Sequence, residues 1–163
     1  MLKHVASRKT KTNVYPVDDK MIQPNAVDLR IAHIYRHDTG VLRLDGDMKC
    51  PIQQIEILPE KLFDDSDELY WDLGHGYYVL KFEQRVKMGP KEAGFVVPRS
   101  TLMRNGVLIY SCLYDSGYNG SMVASMTIAD GVRFCFPKGE RLAQFVVAEA
   151  EAVDQYHGTY QEP

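Results

Sequence analysis

The chain has 163 residues, of which 45% are hydrophobic and 25% are charged. This length fits one domain with one hydrophobic core, and the composition excludes disordered, collagen-like and coiled-coil chains. The 19 basic and 22 acidic residues give a net charge of −3, so no charge excess marks a nucleic-acid or membrane binder. No apolar stretch approaches the ~20 residues of a membrane span, and the first residues lack the apolar region of a secretory signal. We therefore expect a cytoplasmic domain that binds neither nucleic acid stably nor a membrane.

The first 22 residues are polar and basic and follow no sustained period. They predict a loosely held N-terminal arm, with phosphate binding or the clasping of a second subunit as the alternatives. Residues 23–163 form a single domain in this interpretation, because neither an internal repeat nor a linker divides them.

From residue 24 onward, short extended runs alternate with turn-forming residues. The runs are residues 26–35, 77–83, 94–97, 107–113, 121–128, 132–136 and 142–148. Strict alternation in one run gives a face that we expect to be buried, formed by Met122, Ala124, Met126 and Ile128. Many short strands with little helix predict an all-β fold, either a sandwich, a jelly roll or a barrel.

Helix is expected only at residues 100–105, as a single turn. Ser100 or Thr101 provides a side chain suited to an N-cap, and Gly106 provides a stop.

Four polar features stand out from this strand pattern. Asp28 lies in an apolar strand, where burying a lone carboxylate is costly unless it is paired. Arg99 and Ser100 follow Pro98 at a strand end, and together offer phosphate oxygens a guanidinium fork and a hydroxyl. An acid and an aromatic project from the turn 115–120, and Gln144 is a polar residue in an apolar strand. Each feature alone has an ordinary structural explanation.

The order of five short motifs changes this interpretation. They are AVDLR (26–30), PRSTLMRNG (98–106), DSGYNG (115–120), GERLAQ (139–144) and YHGTYQ (156–161). In this order and spacing they resemble the motifs of the dUTPase/dCTP deaminase superfamily, over about residues 23–163. The resemblance implies a distorted jelly-roll β-sandwich of the dUTPase-like β-clip type and a homotrimer with active sites between subunits. It also implies binding of dUTP or a related deoxynucleoside triphosphate together with Mg²⁺.

The resemblance also implies a role for each matching residue. Asp115 falls at the position of the aspartate that activates water, and Tyr118 at that of a tyrosine beneath the deoxyribose. Asp28 matches a supporting carboxylate. Arg99 matches a position that serves the phosphates and is expected in the catalytic set with Asp115 and Asp28. The residues matching substrate-binding positions are Ser100, Thr101, Arg104 and Gln144. Mg²⁺ would be held mainly by substrate phosphates and water, since it retains several waters when bound.

Two reactions occur on this scaffold, and the sequence favours hydrolysis of dUTP to dUMP and pyrophosphate. Deamination of dCTP needs a glutamate on the strand after the 115–120 turn, and Ser125 stands at that place. A serine hydroxyl cannot relay protons near neutral pH as a carboxylate does. A dCTP deaminase or a bifunctional dCTP-to-dUMP enzyme stays an alternative, because Arg104 matches a deaminase-associated arginine. A non-catalytic paralogue that senses nucleotide or binds a protein is an alternative of another class.

The C-terminal tail, about residues 154–163, resembles the deaminase branch in its Y-x-G-x-YQ ending. This mixture of features is similar to deaminase-like dUTP diphosphatases of archaeal or viral type. Tyr160 and Gln161 are then expected in a lid that excludes water and contacts phosphate. The segment between Gly106 and Asp115 is short for a base-reading hairpin, which leaves the choice between dUTP and dCTP open.

Overall fold

Strands dominate the computed structural model, which describes residues 1–45 and 48–162. In chain order they are β1 (Leu2–Lys3), β2 (Asn13–Tyr15), β3 (Val27–His37), β4 (Arg43–Asp45), β5 (Met48–Cys50), β6 (Gln54–Ile57), β7 (Glu60–Lys61), β8 (Leu69–Leu73), β9 (Gly76–Lys87), β10 (Glu92–Pro98), β11 (Val107–Tyr110), β12 (Asn119–Ile128), β13 (Phe134–Pro137) and β14 (Arg141–Glu149). A 3-10 turn covers Asp19–Met21 and one short helix, α1, covers Ser100–Arg104. In the described ranges, no helix is long and apolar enough to cross a membrane.

The strands form one large curled sheet and two small ones. The large sheet has nine strands, with the central order β1-β14-β3-β9-β12-β11, while β10 pairs with β14, β2 with β9 and β6 with β3. The first half of β3 pairs with β14 and its second half with β6, so the sheet changes partners along one strand and bends. The small sheets are β13-β8-β7 and the hairpin β4-β5. The predicted all-β jelly-roll architecture is confirmed.

The large sheet and the three-stranded sheet contribute side chains to one shared core. Trp71 and Phe136 from the small sheet belong to one buried cluster with Leu80, Met126 and Phe145 from the large one. The four residues of β12 predicted to face inward are all buried, at 5% exposure or less. Alternation of side chains in a half-buried strand accounts for this success.

Two predictions about local structure need correction. The helix begins at Ser100 with Arg99 as its N-cap and without a side-chain cap bond, so the predicted capping by Ser100 or Thr101 is wrong. The strand predicted at 107–113 ends at Tyr110, because the following residues turn back to meet β10. Gly106 follows the helix with a φ of +78°, as a glycine stop requires.

The N-terminal segment is more ordered than a loose arm. β1 pairs with β14 and β2 pairs with β9, so both strands extend the large sheet. Four residues, from β1 and from the segment between β1 and β2, donate to the carboxylate of Glu92, which is 2% exposed. The bonds come from Thr12 Oγ1 (2.6 Å) and N (2.8 Å), Thr10 Oγ1 (2.8 Å), Lys11 N (3.1 Å) and Lys3 Nζ (3.1 Å). We call this arrangement the Glu92 knot.

The Glu92 knot favours the charged carboxylate. Burial raises the pKa of Glu92, but hydrogen bonds from Thr12, Thr10, Lys11 and Lys3 outweigh burial and lower the pKa from 4.5 to about 2. A carboxyl group whose pKa is lower in the folded state stabilises the fold above its unfolded pKa. This contribution is therefore complete above about pH 4.5 and is lost as the pH falls toward 2.

We expect Glu92→Gln to lower the free energy of unfolding at pH 7 by about 3 kcal/mol, because buried donors lose their charged acceptor. The difference from the unmodified chain should shrink at pH 3, where the unfolded carboxyl group is already protonated. Denaturant unfolding at pH 7 and pH 3 measures this difference in the free energy of unfolding. Asp72→Asn is the matched control, since Asp72 is only partly buried and its ion pair with the exposed Arg133 contributes little to stability. An equal loss for Glu92→Gln at pH 7 and pH 3 would contradict the assignment.

Candidate functional site

Asp28 is fully buried on β3, and three side chains satisfy its carboxylate. Gln144 Nε2 donates to it at 2.9 Å, while Arg141 Nη1 and Gln23 Nε2 each donate at 3.1 Å. A lone buried carboxylate would be strongly destabilising, and this set of donors offsets that cost. The predicted pairing partner of Asp28 is therefore a group of side chains rather than a single cation.

A β-bulge in β14 creates this arrangement. The pairing of β14 with β3 shifts register between Arg141 and Ala143, and Leu142 and Ala143 are buried in succession. The extra residue lets Arg141 and Gln144 reach Asp28 from the same strand. Gln144 could be identified from the sequence as a site residue, but Arg141 and Gln23 could not. The sequence signal for the bulge was the pair of successive apolar residues, Leu142 and Ala143, in a strand that otherwise alternates.

Arg99 joins this group from the end of β10. Its Nη1 donates to the carbonyl oxygen of Arg141 at 2.9 Å and lies 3.5 Å from the Glu140 carboxylate. We call Asp28, Arg99, Arg141 and Gln144 the basic cluster. The exposed side chains of α1 that follow Arg99 include Ser100, Thr101 and Arg104.

Asp115 lies on a tight turn at a different place. The amide of Tyr118 donates to the Asp115 carbonyl at 3.0 Å, and Gly117 has a φ of +82°, as the third position of a type II turn requires. The Asp115 side chain is exposed, and no residue within 1–45 or 48–162 donates a hydrogen bond to its carboxylate. It borders a cavity of about 440 Å³ that Ala93, Leu113 and residues 150–157 also line. This volume is typical of a small-molecule site.

The C-terminal tail docks on the same turn. The amide of Tyr156 donates to the Ser116 carbonyl at 2.8 Å. Gln161 accepts from the Asn119 amide at 3.1 Å and donates to the Gly117 carbonyl at 3.3 Å. The side chain of Gln161 therefore bonds to the backbone of the turn that carries Asp115. Its contact with phosphate stays a prediction.

The end of the tail is fixed by Glu162. Its carboxylate accepts from the Ser121 amide at 3.1 Å and pairs with Arg85. Hydrogen bonding from Ser121 and the charge of Arg85 lower the pKa of Glu162. Arg85 and Glu162 could not be identified from the sequence, because only the folded chain brings residue 162 to β9.

The two aromatic candidates differ in burial. Tyr118 is 8% exposed, donates to the Ser121 carbonyl at 2.8 Å and contacts the ring of Tyr156 edge-on at 5.3 Å. Tyr118 is therefore largely enclosed, and its packing against a deoxyribose stays a prediction. Tyr160 is 67% exposed, with the Lys49 ammonium 5.4 Å from its ring centroid.

The candidate residues form two groups at opposite ends of β10. Gly94 and Tyr114 are bridged by backbone hydrogen bonds, which places Asp115 beside the start of the strand. Arg99 comes five residues after Gly94, a distance of roughly 16 Å in an extended strand. A single chain therefore brings Asp28, Arg99 and Gln144 together, and separately brings Asp115, Tyr118 and Gln161 together.

Ser125 lies on the outer side of β12, opposite Tyr110 on β11 and Val79 on β9. Its hydroxyl lies 2.5 Å from the Tyr77 hydroxyl. Two hydroxyl groups therefore lie at the position where the motif comparison predicts the carboxylate of a deaminase.

The sequence of the chain also matches a known protein family and several named relatives. The family described as dCTP deaminase-like matches residues 1–150, which include the N-terminal segment. The chain is 32% identical over 149 residues to the probable deoxyuridine 5'-triphosphate nucleotidohydrolase of Halobacterium salinarum, covering 91% of this chain and 88% of that protein. It is 30% identical to the deoxyuridine 5'-triphosphate nucleotidohydrolase of Methanocaldococcus jannaschii, covering 88% and 89%.

A solved structure shows a similar fold. The 2'-deoxycytidine 5'-triphosphate deaminase of Agrobacterium tumefaciens matches with a TM-score of 0.59 and 16% sequence identity. The match covers 84% of this chain but only 43% of that longer one. With the family match over residues 1–150, the ordered motifs and the curled sheet, the chain belongs to the dCTP deaminase-like family, within the dUTPase/dCTP deaminase superfamily.

Proposed function

We propose that the protein is a dUTP diphosphatase that converts dUTP to dUMP and pyrophosphate. The observation that carries this proposal is the exposed Asp115 carboxylate, which borders a cavity of about 440 Å³. The strand that follows, β12, bears the Ser125 hydroxyl at the position where deamination needs a carboxylate. Residues 116–129 contain no Asp or Glu, so no neighbouring carboxylate replaces Ser125. The names of the Halobacterium and Methanocaldococcus relatives support the same reaction.

Asp115 acts as the general base in this proposal. Its carboxylate takes a proton from a water molecule as the water oxygen bonds to the α-phosphorus. The bond from the α-phosphorus to the bridging oxygen of the β-phosphate breaks, and pyrophosphate leaves with that electron pair. An exposed carboxylate on a rigid turn suits this role, because it can accept a proton and stay in position.

The basic cluster and α1 hold the phosphates. Arg99 and Arg104 supply cationic donors, and Ser100 and Thr101 supply hydroxyls. The Gln144 amide has two N–H groups, of which Asp28 accepts one, so the other is directed to substrate. Asp28 is a positioning residue here, because it is fully buried and acts through Gln144 and Arg141.

The residues at this site fit a magnesium ion bound with its substrate. Within the described part of the chain, no three His, Cys, Asp or Glu side chains form a metal-binding group. Asp115 borders the cavity, and Mg²⁺ usually meets nucleotides as a partly hydrated ion on the phosphate oxygens. Phosphate oxygens and water would hold the ion, and it would neutralise charge on the triphosphate.

The separation of the two groups of residues supports active sites between copies of the chain. Asp115 would face the basic cluster of a neighbouring subunit, as in the homotrimer that the motifs imply. The outer face of β9, β11 and β12 offers a surface for this contact. Its exposed large side chains are Tyr77, Leu108, Tyr110 and Val123.

The docked tail supports a lid that closes on its own chain. Tyr156 and Gln161 bond to the turn that carries Asp115, so the tail covers part of this turn and leaves the Asp115 side chain exposed. Tyr160 is exposed beside it and would meet substrate from the open side.

Asp115→Asn tests the catalytic role. We expect the turnover number for dUTP to fall by about 10³-fold, the usual contribution of a general base, while the dissociation constant for a non-hydrolysable dUTP analogue changes little. Pyrophosphate release and calorimetry measure these two quantities. Asp130→Asn is the matched control, because Asp130 is an exposed turn acid just beyond the far end of β12 and should be dispensable.

Near-normal turnover in Asp115→Asn would overturn the role of Asp115. Tight binding of dUTP by the unmodified protein without pyrophosphate release would instead favour the non-catalytic nucleotide sensor.

A panel of dUTP, dCTP, dTTP and UTP separates the two enzymatic alternatives. We expect pyrophosphate from dUTP and no ammonia from dCTP, because the Ser125 hydroxyl cannot shuttle protons to a departing ammonia. Assaying both products in the same samples measures it. Ammonia release from dCTP would identify a deaminase or a bifunctional enzyme, and the proposed reaction would then be wrong.

A further inference from the structure

The backbone around Asp115 is tied on both sides to one short segment, residues 88–94. Tyr114, just before Asp115, exchanges two backbone hydrogen bonds with Gly94, at 2.8 and 3.0 Å. Tyr118, just after the turn, accepts at its carbonyl from the Met88 amide at 2.7 Å. The carboxylate of Asp115 projects outward from between these two attachments.

Ser116 provides a third attachment at the residue next to Asp115. Its side chain is 5% exposed, and its hydroxyl donates to the Glu92 carbonyl at 3.0 Å. The function proposed above does not use this hydroxyl. It donates toward the Glu92 backbone, and Ser116 lines the cavity together with Asp115.

The segment 88–94 is itself fixed by the Glu92 knot. The Glu92 carboxylate receives donors from Lys3, Thr10, Lys11 and Thr12, all in the N-terminal segment. Thr12 Oγ1 also accepts from the Gly89 amide at 3.0 Å. The N-terminal segment therefore bonds to residues 88–94 at Gly89 as well as at Glu92. A buried charged acceptor with this many donors has one favourable geometry.

We propose that Glu92 and Ser116 are positioning residues that hold the Asp115 carboxylate in its catalytic place. Glu92 anchors the segment 88–94 to the N-terminal strands, and Ser116 anchors the Asp115 turn to Glu92. Neither side chain reaches the cavity with a charge, so both act through the backbone that carries Asp115. This inference rests on the proposed role of Asp115 and adds a function for residues 1–12.

The test compares Ser116→Ala and Glu92→Gln with two matched controls, Ser66→Ala and Asp72→Asn. The controls remove the same chemical groups from partly buried sites away from the turn. There, Ser66 accepts from the Glu68 amide and Asp72 pairs with Arg133. Steady-state hydrolysis of dUTP is measured well below each unfolding temperature. Amide hydrogen exchange of residues 112–120 is measured without nucleotide.

We expect the turnover number of Ser116→Ala to fall about tenfold while the KM for dUTP stays within about twofold, because small displacements of a general base lower turnover without weakening binding. Glu92→Gln should show a larger fall of the same kind. Both variants should exchange the amides of residues 114–118 faster, and the controls should match the unmodified protein.

Unchanged turnover and unchanged exchange in Ser116→Ala would overturn the inference, even if Glu92→Gln does not fold. A rise in KM with constant turnover would also overturn it, since that result indicates a binding role. If the unmodified protein does not hydrolyse dUTP, the proposed function fails separately. The exchange measurement then decides alone whether Glu92 and Ser116 order the turn.

Discussion

The antiparallel pairing of β10 with β14 sets the distance on which the functional interpretation depends. Seven consecutive residue pairs join the two strands, from Glu92 opposite Glu149 to Pro98 opposite Ala143. The strand leads directly into Arg99 at one end, and its other end supports the Asp115 turn. A paired strand cannot shorten, so side-chain motion within one chain does not bring the two groups together. A site that needs both groups requires a second copy.

Each end of this strand pair is held by a buried carboxylate. Asp28 is satisfied by three side-chain donors and fixes Arg141 and Gln144, while Glu92 is satisfied by the N-terminal segment and fixes the support of the Asp115 turn. Burying a charge is costly, and removing its partners is costlier than replacing the whole group with apolar side chains. Such groups specify geometry more than they add stability, which suits a site whose atoms must keep fixed positions.

Sequence could predict the features that depend on local pattern. Alternation located β12 and its buried face, and turn chemistry with the ordered motifs located Arg99 and the Asp115 turn. The donors to Asp28 and Glu92 could not be predicted, because they depend on strand register, on the bulge at Leu142 and on contacts across distant parts of the chain. The sequence predicted a loosely held N-terminal arm for the same reason. The side chains of Lys3, Thr10 and Thr12 bond to Glu92, and this contact exists only in the folded chain.

Complementation between two inactive variants tests the central claim most directly, that the Asp115 turn and the basic cluster act across a subunit boundary. Asp115→Asn and Arg99→Ala are co-expressed with different tags, and assemblies carrying both tags are assayed for dUTP hydrolysis against each variant alone. Every trimer that carries both tags has one interface of three that combines an intact Asp115 with an intact Arg99, so these assemblies should regain about a third of the unmodified activity. Activity no greater than that of the separate variants would place both residues in a site within one chain, and would contradict the account.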